Sequence, residues 1–314
     1  MAIEILALSR LHPLAFERLE RKYTVHRYLE AKDPAALIES VALRVRAIAT
    51  GGNVALTREM LGRFPKLEIV AFFGVGYDSV DVDAAKERGI AVAVAPHALL
   101  TADVADLATA LLIALARGLL PADRHVRAGD WKRKGPVRLG TTVFGKTAGI
   151  VGLGRIGSET ARRLEPLRLT VLYHDVERKP GVSYRYVSDL EAMARESDFL
   201  VVTCAGGAAT RNLIDARILG ALGPDGYLIN VARGSVVDEP ALVAALKAGA
   251  IKGAALDVFA GEPNVPEALM GLDNVILLPH MASGTRETRE AMATVLADNI
   301  DRHFSGEPVV NRIV

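Results

Sequence analysis

Cysteine is nearly absent: Cys204 is the only one in 314 residues. No disulfide can form within the chain, and a cysteine-based metal site has no second thiolate to draw on. Neither sign of charge is in excess. The balance of 38 Lys+Arg against 37 Asp+Glu leaves a net charge of +1, too little for a long-range field that attracts nucleic acid or an anionic membrane. The densest basic run, Lys132-Arg133-Lys134, reads as a solvated loop. Long hydrophobic runs are missing too. The longest, Leu107 to Ala116, is bounded by Asp106 and Arg117 and is too short for a bilayer. Glu4 and the lack of a basic region before an apolar run argue against a signal peptide. No internal repeat or low-complexity tract stands out. A cytoplasmic protein with no nucleic-acid partner, no membrane and no metal is expected.

Half of the chain, 50%, is hydrophobic, enough for two domains with cores of their own. The most informative stretch runs from Thr147 to Gly157. A short apolar run ends in Gly152-Leu-Gly154-Arg155-Ile156-Gly157, and a helical pattern follows from Ser158. This is the G-x-G-x-x-G spacing of a dinucleotide site. Gly152 allows the tight turn, Gly154 lets the backbone approach a pyrophosphate, and Gly157 lets the helix lie close on the strand. The helix N-terminus then faces the phosphates. A second strand, Thr170 to His174, ends in Asp175, near the roughly 20-residue offset of the acidic residue that reads the ribose. Asp175 favours NAD. Arg178 and Lys179 lie close enough to keep NADP open.

Before this stretch, strands are expected at Ile3–Ala7, Thr24–Tyr28, Ala47–Ala49, Glu68–Ala71 and Ala91–Ala93. Helical patterns near Pro13–Arg21, Pro34–Ser40, Thr57–Gly62 and Val82–Arg88 lie between them. Such alternation implies a parallel sheet covered on both faces. Thr101 to Gly118 reads as one helix, N-capped by Thr101. It is apolar on nearly all sides, so it is expected to be buried. Pro121 to Lys146 reads as an arm on a partner subunit; a loop folded on its own domain is the alternative. Further strands are expected at Phe199–Val202, Tyr227–Asn230, Gly253–Leu256 and Val275–Leu278. An amphipathic helix from Thr285 to Ser305 returns to the first domain. The fold class is α/β, with two doubly wound parallel-sheet domains. A Rossmann dinucleotide domain (99–285) is inserted into a flavodoxin-like substrate domain (1–98 and 286–314).

Arg233, Glu262 and His280 each stand just after an expected strand of the dinucleotide domain, where ligands of open α/β sheets bind. Each alone has an ordinary structural reading; together they suit hydride transfer. His280 can give a proton to a ketone oxygen or take it from an alcohol. Glu262 can fix the imidazole tautomer and favour its protonated form. Arg233 can hold a carboxylate by a fork of N–H donors. No metal is required.

The set Gly152-x-Gly154-Arg155-Ile156-Gly157, Asn230-Val-Ala-Arg233-Gly234, Gly261-Glu262-Pro263 and Pro279-His280 resembles the D-isomer-specific 2-hydroxyacid dehydrogenases. Within them, Leu222–Asn230, Val236–Pro240, Leu277–Thr288 and His303–Pro308 resemble the glyoxylate/hydroxypyruvate and hydroxyphenylpyruvate reductase branch. The resemblance implies a homodimer through the 101–146 segment and a small 2-oxo or 2-hydroxy acid as substrate, bound in a cleft between domains. It implies that Val75 and Gly76 offer N–H groups to the substrate carboxylate. Asp257 is implied to bind the nicotinamide carboxamide. Arg155, Ile156, Cys204, Val231, Ala232 and Ser283 are implied as further cofactor contacts. The stretch Ala205-Gly-Gly-Ala-Ala209 departs from the Pro-Leu-Thr-Pro-like loop of many relatives. A phosphoglycerate dehydrogenase-like enzyme and a non-catalytic NAD-sensing corepressor remain alternatives.

Overall fold

Strand alternation decides the architecture of the first part of the chain. Strands β1 (Glu4–Ala7), β2 (Thr24–Arg27), β3 (Val45–Thr50), β4 (Ile69–Phe72) and β5 (Ala91–Ala93) form a sheet in the order β2-β1-β3-β4-β5. Every pairing is parallel, and the order is that of flavodoxin-like folds. In β4 all residues are buried, and successive side chains serve opposite faces. Ile69 and Ala71 join a cluster with Ala15 and Leu19 of the helix Pro13–Glu20 and Leu296 and Ile300 of the helix Arg286–Phe304. Val70 and Phe72 join Leu61, Phe64, Ala85 and Ile90 on the other face. The C-terminal helix therefore supplies part of one covering layer. Thr285 caps it by accepting from the Thr288 N–H at 3.2 Å.

The computed structural model describes residues 2–52, 54–96 and 98–314. Its two units are Met1–Leu100 with Ser283–Val314, and Thr101–Ala282; the sequence reading put these boundaries at 98 and 285. The second unit holds β6 (Thr147–Val151), β7 (Thr170–His174), β8 (Arg185–Tyr186), β9 (Phe199–Val202), β10 (Tyr227–Asn230), β11 (Gly253–Leu256) and β12 (Val275–Leu277). They form one parallel sheet in the order β12-β11-β10-β9-β6-β7-β8. The direction of winding reverses between β6 and β9, and the loops after those strands open the crevice where such sheets bind ligands. Strand β8 falls in a stretch that reads as irregular, because it has only two residues and no apolar alternation.

Three expectations change. The helix expected from Thr101 starts at Ala98 and runs to Arg117, so Thr101 lies inside it and is not its cap. That helix is long and apolar enough to cross a membrane by length and composition, although its longest uncharged run is short. Nor is it buried all round. Val104, Ala105, Ala108, Leu111, Leu112 and Ala116 form a buried stripe at helical spacing, while Ala110 is exposed and Ile113 and Ala114 are half-buried. The Lys132-Arg133-Lys134 run, finally, read as a loop, lies in the helix Asp130–Lys134.

The turn after β6 needs its glycines for separable reasons. Gly152 has φ +92°, and a Cβ there would sit 2.5 Å from Cα of Cys204 in the loop after β9. At Gly157 a Cβ would lie 2.2 Å from the Gly152 carbonyl oxygen, so the helix Arg155–Leu164 can approach the strand only without a side chain. Gly157→Ala is expected to destabilise the protein by about 1–3 kcal/mol through overpacking. Urea unfolding monitored by circular dichroism checks this; an unchanged midpoint would show that the turn relaxes freely.

Candidate active site

All the residues expected on the cofactor side of the second unit stand at the carboxyl ends of its strands. Gly152 to Gly157 follow β6, Asp175 follows β7, Cys204 follows β9, and Val231 and Ala232 follow β10. The N-cap of the helix Arg155–Leu164 is Gly154, which brings no side chain to the N-terminal N–H groups. A Cβ on Gly154 would meet nothing within 4 Å. A helix end left uncovered in this way fits a pyrophosphate. Asp175 accepts from the Leu153 N–H at 2.9 Å through Oδ2 and from the Val176 N–H at 2.8 Å through Oδ1, which ties this carboxylate to the glycine turn. Burial pushes the Cys204 thiol up to about 11, helped by the charge of Asp175; it is a neutral packing group at the switch point. Ser283 lies in the other unit, in the turn before the C-terminal helix. Val75 and Gly76 also belong to that unit, in the turn after β4. Gly74 precedes them with φ +138°, and Gly52 comes so near that a Cβ on it would be 3.2 Å from the Gly76 oxygen.

The chemical groups occupy three adjacent loops. Arg233 follows β10, Glu262 follows β11 and His280 follows β12. His280 Nδ1 is 2.7 Å from Glu262 Oε2, and Glu262 Oε1 accepts the Phe259 N–H at 3.0 Å. Burial alone would raise the Glu262 pKa. The His280 hydrogen bond, the Phe259 N–H and the charges of His280 and Arg233 outweigh it, and the net shift is downward. The stabilisation from this carboxylate is therefore present above the usual glutamate value and is lost as pH falls through the lower folded-state value. An ionised carboxylate can only accept, so Nδ1 of His280 carries the shared proton and Nε2 is left for chemistry. Arg233 donates from Nη1 to the Ala232 carbonyl at 2.7 Å.

Three positioning residues escape the sequence reading. Asn230, buried, accepts the Ala232 N–H through Oδ1 and donates Nδ2 to the Arg233 carbonyl, both at 3.0 Å, so it shapes the loop that carries the guanidinium. Gly234 is pressed onto the next loop: a Cβ there would be 1.8 Å from the Phe259 carbonyl carbon. The third is Asp257, in a role other than the expected one. Its side chain is fully buried. Its carbonyl accepts the His280 N–H at 2.8 Å, Oδ1 the Met281 N–H at 2.8 Å and Oδ2 the Ala282 N–H at 2.9 Å. It anchors the turn that presents the imidazole, and each carboxylate oxygen keeps a second lone pair for a further donor. Burial raises its pKa, against the pull of the two N–H bonds. Asn230 and Asp257 could have been suspected as polar residues ending apolar strands, and Gly234 from its place beside Arg233.

Comparison with known proteins agrees with this geometry. A family model described as D-isomer specific 2-hydroxyacid dehydrogenase, NAD binding domain, matches residues 109–282. The chain belongs to the D-isomer-specific 2-hydroxyacid dehydrogenases. It is 41% identical over 313 residues to a glyoxylate/hydroxypyruvate reductase from Arabidopsis thaliana, covering 100% of this chain and 99% of that one. A hydroxyphenylpyruvate reductase from Plectranthus scutellarioides matches with the same identity and coverage. Among solved structures, the NADPH-dependent glyoxylate/hydroxypyruvate reductase from Sinorhizobium meliloti, in complex with NADP and malonate, superposes with a TM-score of 0.94. It is 43% identical, and the match covers 100% of this chain and 97% of that one. This dehydrogenase is an NAD(P)-dependent oxidoreductase, and the two parallel sheets are those of its family.

In Asp257→Asn the amide would turn an NH2 group toward a main-chain N–H donor, leaving one donor of the His280 turn unsatisfied at about 1–3 kcal/mol. Turnover in the reducing direction is expected to fall more than cofactor affinity, and the alkaline limb of the pH–rate profile to move. An unchanged profile in a folded Asp257→Asn protein would show that the anchor does not govern His280.

Proposed function

We propose that this dehydrogenase reduces small 2-oxo acids of the glyoxylate, hydroxypyruvate or aryl-pyruvate type to D-2-hydroxy acids. The observation that carries this reading is the 2.7 Å Glu262–His280 pair with Arg233 in the adjacent loop. The nicotinamide, when bound, supplies the hydride that the 2-oxo carbon receives. His280 donates the Nε2 proton to the carbonyl oxygen, and Glu262 stabilises the imidazolium before transfer. Arg233 exchanges its bond to the Ala232 carbonyl for the substrate carboxylate and polarises the neighbouring carbonyl. In the reverse direction His280 takes the proton from the alcohol. The names of the relatives support a reductase over the phosphoglycerate-oxidising and NAD-sensing alternatives. For the first unit, the N–H groups of Val75 and Gly76 remain our assignment for carboxylate binding.

Asp175 supports use of NAD, since a carboxylate at the end of β7 suits ribose hydroxyls. The lone cysteine fits a reducing, cytoplasmic setting. A homodimer is supported by the 101–146 segment, which exposes the large apolar side chains Leu119, Val126, Trp131, Leu139 and Phe144.

Loss of NADH or NADPH absorbance with a panel of 2-oxo acids tests the activity. His280→Ala is expected to lower turnover by about 100-fold or more, the range of general acid catalysis, with little change in cofactor affinity. Arg233→Ala is expected to raise KM strongly. Near-normal turnover in the first variant, or an unchanged KM and turnover in the second, would remove that residue from the mechanism. Sedimentation of the wild-type chain is expected to show a dimer that Trp131→Asp with Leu139→Asp dissociates; a wild-type monomer would reject the interface.

A further inference from the structure

The carboxylate that reads the ribose does not stand alone. Lys179 Nζ lies 3.2 Å from Asp175 Oδ1. The same oxygen accepts the Val176 N–H, and Oδ2 accepts the Leu153 N–H. Three donors thus already address a side chain that is only 13% exposed. The lysine stem is rooted in a built turn. The Lys179 N–H donates to the Tyr173 hydroxyl at 2.9 Å, and the Tyr186 hydroxyl donates to the Asp175 carbonyl at 3.2 Å. The two tyrosine rings pack with centroids 5.3 Å apart. The turn holds the base of Lys179 in place, while its ammonium stays partly in solvent, 3.9 Å from the exposed Glu177.

A lone aspartate at this place excludes NADP by repelling its 2′-phosphate. Here the repulsion is already neutralised by a cation on a flexible stem. We propose that Lys179 is the cofactor-specificity residue of this chain. It pairs with Asp175 when the ribose carries a free 2′-hydroxyl and moves its ammonium onto the phosphate when the ribose carries a 2′-phosphate, so that NADP is accepted as well as NAD. This rests on the dehydrogenase reading above for its physiological sense, but not for its test. The exposed Arg178 next to it can add to the field without holding the carboxylate. The assignment departs from a choice set by the acidic residue alone, because the selecting group is the aspartate's own counter-ion.

The test uses adenosine 2′,5′-bisphosphate and 5′-AMP as probes, titrated calorimetrically into the full chain and into Lys179→Ala and Lys179→Arg. The wild type is expected to bind both probes. Lys179→Ala should lose about tenfold or more in affinity for the bisphosphate, the worth of one charge-assisted bond to phosphate. Its affinity for 5′-AMP should change by less than about twofold, since the Leu153 and Val176 N–H groups still hold Asp175 in place. Lys179→Arg should retain the bisphosphate. The ratio of kcat/KM for NADPH to that for NADH should fall in step in Lys179→Ala. The proposal is overturned if the wild type does not bind the bisphosphate. It is equally overturned if both probes weaken together, as a purely structural lysine would cause, or if neither changes. Failure of the dehydrogenase reading would look different: no turnover with any 2-oxo acid, with the probe affinities as stated.

Discussion

The geometry of the candidate site depends on a buried carboxylate that never needs to touch a substrate. His280 has φ +53°, a left-handed backbone that costs a non-glycine residue roughly 1–2 kcal/mol. Such a conformation persists only where the surroundings over-determine it. Asp257 supplies that constraint. Its carbonyl and both carboxylate oxygens accept the N–H groups of His280, Met281 and Ala282 in succession. A chain that turned any other way would leave a donor or a buried charge unpaired, which costs more than the strain. The strain at His280 is thus a consequence of satisfying Asp257, and the direction of the imidazole follows from it.

The other two chemical groups are tied to this anchor through main chain. Gly234, beside Arg233, lies against the Phe259–Ala260 backbone so closely that no Cβ fits. Phe259 in turn gives its N–H to Glu262 and Ala260 gives its N–H to Glu239. Glu262 then reaches His280. Arginine, glutamate and imidazole therefore belong to three loops that cannot shift independently. Catalytic geometry must be held to a fraction of an ångström, and backbone contacts do this better than long side chains would. Parallel strands make the arrangement possible, because β10, β11 and β12 are neighbours and end at the same edge.

Local pattern explains what the sequence made legible and what it left out. The strands of both sheets read correctly where apolar runs are flanked by turn residues, as at Ile69–Phe72 and Phe199–Val202. The glycine turn, and the placing of Arg233, Glu262 and His280 on adjacent loops, were legible because their residue types recur at short spacings after apolar strands. What failed depends on distance along the chain. Strand β8 exists because Tyr173 and Leu172 offer it a partner edge, not because Arg185–Tyr186 resembles a strand. The anchoring role of Asp257 went unread because its partners, 24 and 25 residues away, cannot be inferred from its neighbours. The helix start at Ala98 was missed because a good N-cap residue, Thr101, stands where the helix has already begun.

The order of strands also separates two tasks that the chemistry requires to be independent. The glycine turn and Asp175 belong to β6 and β7, while Arg233, Glu262 and His280 belong to β10, β11 and β12, with β9 between the two groups. The loops of Arg233, Glu262 and His280 make their tight contacts with one another, and the turn after β7 is closed by its own pair of tyrosines. Side chains of the turn after β7 can therefore vary without disturbing the imidazole and its carboxylate. The two groups share the sheet, which fixes the distance between their strands, and the segment after β9, which packs Cys204 on Gly152 and bonds Asn212 and Ile214 to Ser235 and Val236. Variation in cofactor choice within a single fold follows from that separation, because the strain and buried charge that orient His280 lie on the far side of the switch point from Asp175.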